Sequence, residues 1–182
     1  LRLGNPLDKA VDVGAVIDQT QLERIDSLVK KAVKNGAELH QAGTCPDKGC
    51  FYPPTLLTGI EPSDDIAQTE IFGPVLCAMT FRHQKDAIDI ANNTRYGLAA
   101  SVWTENVNMA LEMAPRLKAG VVWINSTNKF DAACGFGGYR ESGYGREGGR
   151  EGLYAYMKPV NAGTKPAATK KAQAKTEIVS EK

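Results

Sequence analysis

Between residues 75 and 125 the chain alternates short apolar runs with segments of helical period, and this alternation restricts the possible folds most. Residues 75–81, 98–104 and 121–125 are apolar runs of strand length. Residues 85–92 and 107–117 carry helical spacing, the first turning Ala87, Ile88 and Ala91 inward and the second capped by Asn106. Strand, helix, strand, helix, strand at these lengths predicts βαβ units, an α/β fold and a parallel sheet covered on both faces. In open sheets of this kind ligands gather beyond the carboxyl ends of strands. Asn125 stands at one such end, where a side-chain amide can hold a small polar group, although an ordinary turn uses the same residue type.

The preceding segment supplies one clear helix. Asp18-Gln19-Thr20 opens it, Leu22, Ile25, Val29, Ala32 and Val33 share one face, and Asn35-Gly36 closes it. A short strand is predicted over 37–41 and a second over 51–57, where Pro53 and Pro54 suit an edge and not a central position. Residues 61–65 read as a loop.

At the head of the 75–81 run stands Glu70-Ile71-Phe72-Gly73-Pro74. Gly73 is expected to relax the backbone, and Pro74, lacking an N–H, suits a strand's first residue. A carboxylate here can accept hydrogen bonds from the two hydroxyls of a ribose while an aromatic neighbour walls off a flat ring. Five residues alone read more simply as an exposed acid, a core Phe and an ordinary turn. Residues 143–148 spell G-x-G-x-x-G, but no apolar strand runs directly into them and no acid follows at the required distance. The dinucleotide fingerprint is therefore rejected. The Gly-rich segment instead reads as an irregular loop that passes close to other backbone, followed by a short helix over 146–154 and a weakly alternating final strand over 153–160.

The 182 residues carry a net charge of +1, with 42% hydrophobic and 24% charged residues. This is globular composition, and its near-neutral balance gives no field for nucleic acid or an anionic membrane surface. No apolar run reaches the length of a membrane span. Leu1 is not Met and leads straight into a turn, so the chain is expected to be a piece of a longer protein. Among the four cysteines, Cys77 lies in an apolar strand and reads as a core residue. Cys45 and Cys50 flank a turn and could pair or share a metal. No second Cys or His pair at ligand spacing accompanies them, so no metal is assigned and a reducing, cytoplasmic setting is the simpler expectation. From Asn161 to Lys182 the composition shifts to Ala, Lys, Thr and Gly, which predicts a disordered tail or linker after a folded region at 1–160.

Four marks in order, Glu70 to Pro74, Asn93 to Leu98, Gly120 to Asn125 and Phe136 to Glu147, resemble the C-terminal third of the aldehyde dehydrogenase superfamily. Finer features in 51–56, 100–103 and 152–154 are similar to the long family 16 proteins, in which a second dehydrogenase-like module follows the first. The tail would then be the linker between modules. The resemblance implies that Glu70 binds the nicotinamide ribose of NAD or NADP and that Phe72 packs near the nicotinamide. It implies that Asn125 ends a strand beside the active site, and that Asn128, Phe130 and Phe136 line the aldehyde tunnel. It further implies a Rossmann-like fold, an aldehyde substrate, and a homo-oligomer formed through the C-terminal strand. The family reaction oxidises an aldehyde to an acid through thiolate addition, hydride transfer and hydrolysis of the acyl group.

In the family the nucleophilic cysteine, the general-base glutamate and the Rossmann glycines lie upstream of the segment matched here. No catalytic residue is therefore assigned in this chain, and the piece alone is expected to be inactive and prone to aggregate. Cys134, nearest to the site by motif position, reads as loop packing. Cys134-Gly135 stands where the family usually has a proline, and Arg140 stands where lysine is common. The alternative function is a non-catalytic aldehyde-dehydrogenase-like scaffold, and a weaker one is a metal-linked binding module using Cys45 and Cys50.

Overall fold

The computed structural model describes residues 1–158 and residue 160. The expected tail over 161–182 lies outside them. The described chain falls into two compact units, the first formed by Leu1–Lys129 with Gly137–Tyr144 and the second by Phe130–Phe136 with the described residues from Gly145 onward.

In the first unit the sequence-predicted helix forms as α1, Gln19–Lys34. The Asp18 carboxylate accepts a hydrogen bond from Gln21 N at 2.8 Å, satisfying an otherwise orphaned helix donor. At the other end Asn35 N donates to Lys31 O. The inward face carries Ile25, Val29 and Ala32, which form one buried cluster with Ala37, Tyr52, Leu57, Ile60, Ile66 and Ile71. Ile25 and Leu57 are completely buried. Full burial of such a side chain stabilises by roughly 1.5–3 kcal/mol. α1 is therefore held by its apolar stripe and not by helix propensity alone.

The expected single parallel sheet is instead two small sheets. β1 (Glu38–Gln41) pairs antiparallel with β2 (Thr55–Thr58), and β2 pairs in parallel with β3 (Val75–Cys77). β4 (Ala99–Val102) and β5 (Val121–Ile124) form a separate parallel pair. The first sheet is mixed because residues 42–54 bring the chain back beside β1 without a helix, whereas β2 and β3 are joined by the longer helical crossover that a parallel pair needs. Nor are the sheets covered on both faces, since Leu76 of β3 is about two-thirds exposed and Ile124 of β5 more than a third.

Other boundaries shift for identifiable reasons. β2 begins only at Thr55 because Pro53 and Pro54 have no N–H to give a ladder. Thr55 is buried, and its hydroxyl donates to Pro53 O and accepts from Gln41 Nε2. The predicted 61–65 loop runs into a one-turn helix, α2 (Asp65–Gln68), whose Ile66 joins the core. α3 (Gln84–Asn92) buries Ile88. α4 (Val107–Met113) is shorter than expected, because Pro115 breaks the i→i−4 pattern and residues Ala114–Arg116 tighten into a 3₁₀ turn.

In the second unit Phe136 and Glu147 exchange two backbone hydrogen bonds of 2.7 Å as an isolated antiparallel bridge. α5 runs over Gly149–Tyr154 and starts later than predicted, after Gly148 at φ 67°. The final strand expected over 153–160 does not form among the described residues. Leu153 and Tyr154 complete α5, a turn follows at 155–156, and residues 157 and 158 are in no regular element.

The Gly-rich loop does approach other backbone closely within the first unit. Gly97 O accepts from both Gly120 N (3.1 Å) and Tyr139 N (3.0 Å), while Gly97 N donates to Ser142 Oγ. A Cβ on Gly120 would lie 1.7 Å from Gly137 O, inside any permissible contact. Arg140, at φ 55°, sends Nη1 to the carbonyls of Asn92 and Thr94 at the end of α3, where positive charge also meets the helix dipole. In the protein carrying this segment, Gly120→Ala is expected to lower unfolding stability by about 3 kcal/mol or more. Gly145→Ala, with open space around it, is expected to change stability by less than about 0.5 kcal/mol. Equal denaturation midpoints for the two variants would show that the backbone approach at Gly120 does not constrain the fold.

Candidate functional site

Glu70, Ile71 and Phe72 precede β3 and lie against one face of α1. Their three consecutive carbonyls all accept hydrogen bonds from side chains of that helix. Gln21 Nε2 donates to Ile71 O (2.7 Å) and Phe72 O (3.1 Å), and Arg24 donates to Ile71 O through Nη1 and to Glu70 O through Nη2, both at 3.1 Å. Gln21, Arg24 and Ile25 fall at helical neighbour spacing, so one face provides both the donors and the apolar contact beneath them. The contact explains Gly73. A Cβ there would sit 2.4 Å from Ile25 Cδ1, so the glycine admits the helix.

The unusual backbone angle falls on the neighbouring aromatic. Phe72 has φ 55°, in the left-handed region that bulky side chains rarely enter, and it is 72% exposed. An aromatic residue that is both strained and solvated gains nothing from core packing, a combination that concentrates at functional positions. Beside it Glu70 is exposed, and its carboxylate makes no hydrogen bond or ion pair among the described residues. The Glu70 amide lies 3.5 Å from the Tyr96 hydroxyl, at the limit of a hydrogen bond. An open recess of about 400 Å³ is lined by Thr69, Glu70, Phe72, Val75, Cys77 and neighbouring residues.

Burial pushes the Cys77 thiol above its ordinary pKa, and the nearby Asp64 charge adds to the effect. Its Sγ lies 3.9 Å from Ile66 O. A half-buried thiol held in its neutral form is a packing residue and a poor nucleophile.

Asn125 sits at the carboxyl end of β5 at φ 50°. Its Oδ1 accepts from Thr104 N (2.8 Å), its Nδ2 donates to Thr104 O (2.9 Å), and its own amide donates to Val102 O (2.8 Å). The side chain thus extends the β4–β5 ladder by one step and ties together the exits of two parallel strands. One amide hydrogen and one carbonyl lone pair remain for another group. Asn128 follows at φ 52° and is exposed, and the Trp123 indole donates to Lys129 O at 2.9 Å, closing the loop after β5.

Phe130 and Phe136 belong to the second unit, where their rings meet edge to face with centroids 5.1 Å apart. Phe130 is 64% exposed and Phe136 half-buried. Cys134 is exposed and does not pack in its loop as the sequence suggested. Its carbonyl closes on the backbone at Gly148, where a Cβ would lie 2.6 Å away, so Gly148 and Gly149 serve a tight loop-to-helix junction. Cys45 and Cys50 are half-buried free thiols. No group of three or more His, Cys, Asp or Glu side chains with metal-binding geometry occurs among the described residues.

The structure thus brings Glu70 and Phe72 to one recess and, separately, Phe130 and Phe136 into ring contact, while Asn125 bonds Thr104 and not Asn128. The residues missed by sequence reasoning are Gln21 and Arg24, whose helical spacing marked the polar edge of α1 without naming a partner.

The sequence and the fold both match known proteins. The family model described as the aldehyde dehydrogenase family matches residues 1–161. Aldehyde dehydrogenase 1A1 of Mesocricetus auratus is 43% identical over 155 residues, covering 85% of this chain and 31% of the relative. The crystal structure of betaine aldehyde dehydrogenase from Staphylococcus aureus in complex with NAD+ is 38% identical with a TM-score of 0.79, covering 85% of this chain and 32% of that one. An aldehyde dehydrogenase from Bacillus cereus, solved as an E194S mutant, gives a TM-score of 0.81 at 38% identity, covering 87% and 32%. The chain spans about a third of the length of these relatives. It belongs to the aldehyde dehydrogenase family.

Proposed function

We propose that this chain is the C-terminal part of an NAD(P)-dependent aldehyde dehydrogenase that oxidises an aldehyde to a carboxylic acid, with the nucleophilic cysteine upstream. The observation that carries the proposal is the pairing of an unpartnered, exposed Glu70 carboxylate with a strained, exposed Phe72 on a turn fixed from behind by α1. Two carboxylate oxygens suit the vicinal hydroxyls of the nicotinamide ribose, and the Phe72 ring suits the flat nicotinamide. A bound nicotinamide nucleotide supplies the hydride acceptor. Complex formation with NAD+ by the S. aureus relative supports the cofactor class. Exposed apolar side chains on both small sheets support a segment that belongs to a larger domain.

By resemblance we assign Asn125, Asn128, Phe130 and Phe136 to the aldehyde tunnel. We place the parent protein nearest the two-module family 16 dehydrogenases, on residues 51–56, 100–103 and 152–154, and in the cytoplasm. It assembles as a homo-oligomer, a role supported by the exposed Leu153, Tyr154 and Tyr156.

In the complete enzyme Glu70→Gln is expected to lower kcat/KM for NAD+ by about tenfold, because the amide replaces a charged acceptor. Unchanged kcat and KM would remove Glu70 from the cofactor site. Phe130→Ala is expected to shift the ratio of kcat/KM between bulky and small aldehydes several-fold, on the order of one to two methylene groups of pocket discrimination. An unchanged ratio would remove Phe130 from the tunnel.

A further inference from the structure

Between β1 and β2 the chain makes an excursion over residues 42–54, closed at its base by Ala42 N donating to Pro54 O at 3.1 Å. Two contacts hold it against residues 1–16. Near its start a Cβ on Gly43, at φ 84°, would meet Leu3 Cδ1 at 2.7 Å, and further on Val16 N donates to Cys50 O at 2.8 Å. Between those contacts the backbone is bent at every position from 47 to 50, and Gly49 takes φ 106°. Burial divides this segment by side. Asp47, Lys48 and Gly49 are exposed at its tip, whereas Cys45, Pro46 and Cys50 are half-buried. Both cysteines are free thiols.

We infer that Cys45 and Cys50 form a modification site, a dithiol that a hydroperoxide closes into a reversible disulfide across the tip of this loop. A disulfide needs Cα atoms about 4.4–6.8 Å apart, which residues at this spacing reach only where the chain turns back on itself. The consecutive bends and the left-handed Gly49 supply that turn, and the burial pattern puts both thiols on the side turned from solvent. One thiolate attacks the peroxide O–O bond, giving a sulfenic acid and releasing the alcohol, or water from hydrogen peroxide itself. The second thiol attacks the sulfenic sulfur, forming the S–S bond and releasing water. Two thiols thus lose two electrons and two protons, and one hydroperoxide is reduced. So short a tether holds the second thiol at an effective concentration on the order of millimolar or above, so this condensation outruns capture by another molecule. The other cysteines lack such a partner. Cys77 is held neutral by burial, and Cys134 is the only cysteine of the second unit. In the reducing setting proposed above the pair rests as thiols, and its cross-link is a transient response to oxidant and not a structural staple.

The test uses the folded full-length protein, treated with hydrogen peroxide, quenched in acid, alkylated and mapped by mass spectrometry. Trypsin cuts after Lys48 and chymotrypsin after Phe51, which places Cys45, Cys50 and Cys77 on separate peptides. The Cys45–Cys50 peptide pair, lighter by two hydrogens than its separate parts, is expected to exceed any other disulfide of this segment about tenfold. Dithiothreitol is expected to return both residues to alkylatable thiols, while Cys77 stays reduced throughout. In Cys45→Ser, Cys50 has no resolving partner, and its sulfenic acid, trapped by dimedone, is expected to rise about tenfold over the unsubstituted protein. The outcome does not depend on the cofactor assignment of Glu70 and Phe72. Free thiols at both positions while Cys134 is oxidised would overturn the inference. So would separate conversion of each cysteine to sulfinic acid, or a cross-link from either one to Cys77 in place of the pair.

Discussion

Four hydrogen bonds from two side chains of one helix hold three consecutive carbonyls that no strand can use. Around that contact the first unit is arranged. α1 lays Ile25, Val29 and Ala32 into the core, and the same helix turns Gln21 and Arg24 toward the approach to β3. The apolar contact supplies most of the free energy of docking, because buried aliphatic area outweighs partly exposed hydrogen bonds. The polar contacts add direction. Without them the turn could still cover the core, but nothing would fix Phe72 in its left-handed conformation.

A second constraint acts where the polypeptide crosses itself at Gly97, Gly120 and Gly137. Here the backbones approach too closely for a Cβ, and the exchange of amide and carbonyl groups replaces side-chain packing. Arg140 and the Arg95–Glu141 ion pair at 3.3 Å lie around this junction. The ion pair is exposed and contributes little by itself, whereas the Arg140 guanidinium serves carbonyls that a helix end leaves orphaned. On the other side of the β4–β5 pair, Asn125 clasps Thr104, so the strand exits are fixed by a side chain that imitates one more residue of ladder.

Local features were legible in the sequence where the physics is local. The α1 period, its Asp18 cap and its Asn35-Gly36 end predicted that helix, and Pro53, Pro54 and Pro115 explain where regular structure is denied. The glycine density of 135–148 announced close backbone approach, though not its partners. Pairing was not legible. Whether β3 joins β4 or β2 depends on contacts far along the chain, and the parallel sheet inferred from alternation became two sheets. At the site, Glu70 and Phe72 were visible as residue types, but the strain was expected at Gly73 and lies at Phe72. The donors that hold the turn lie 46 to 51 residues away in sequence, so no motif around Glu70 could reveal them. Among the described residues of 153–160 no strand forms, and here the competition is local. Weak alternation over 153–160 competed with helix propagation from Gly149, and helix prevailed through Tyr154.

The most direct measurement is a crystal structure of the full-length protein with NAD+ bound. The Glu70 carboxylate is expected within hydrogen-bond distance of the nicotinamide ribose hydroxyls, with the Phe72 ring beside the nicotinamide and the turn of residues 70–72 still docked on α1. A nucleotide seated with its ribose away from Glu70, or a turn released from α1 in the complex, would contradict it.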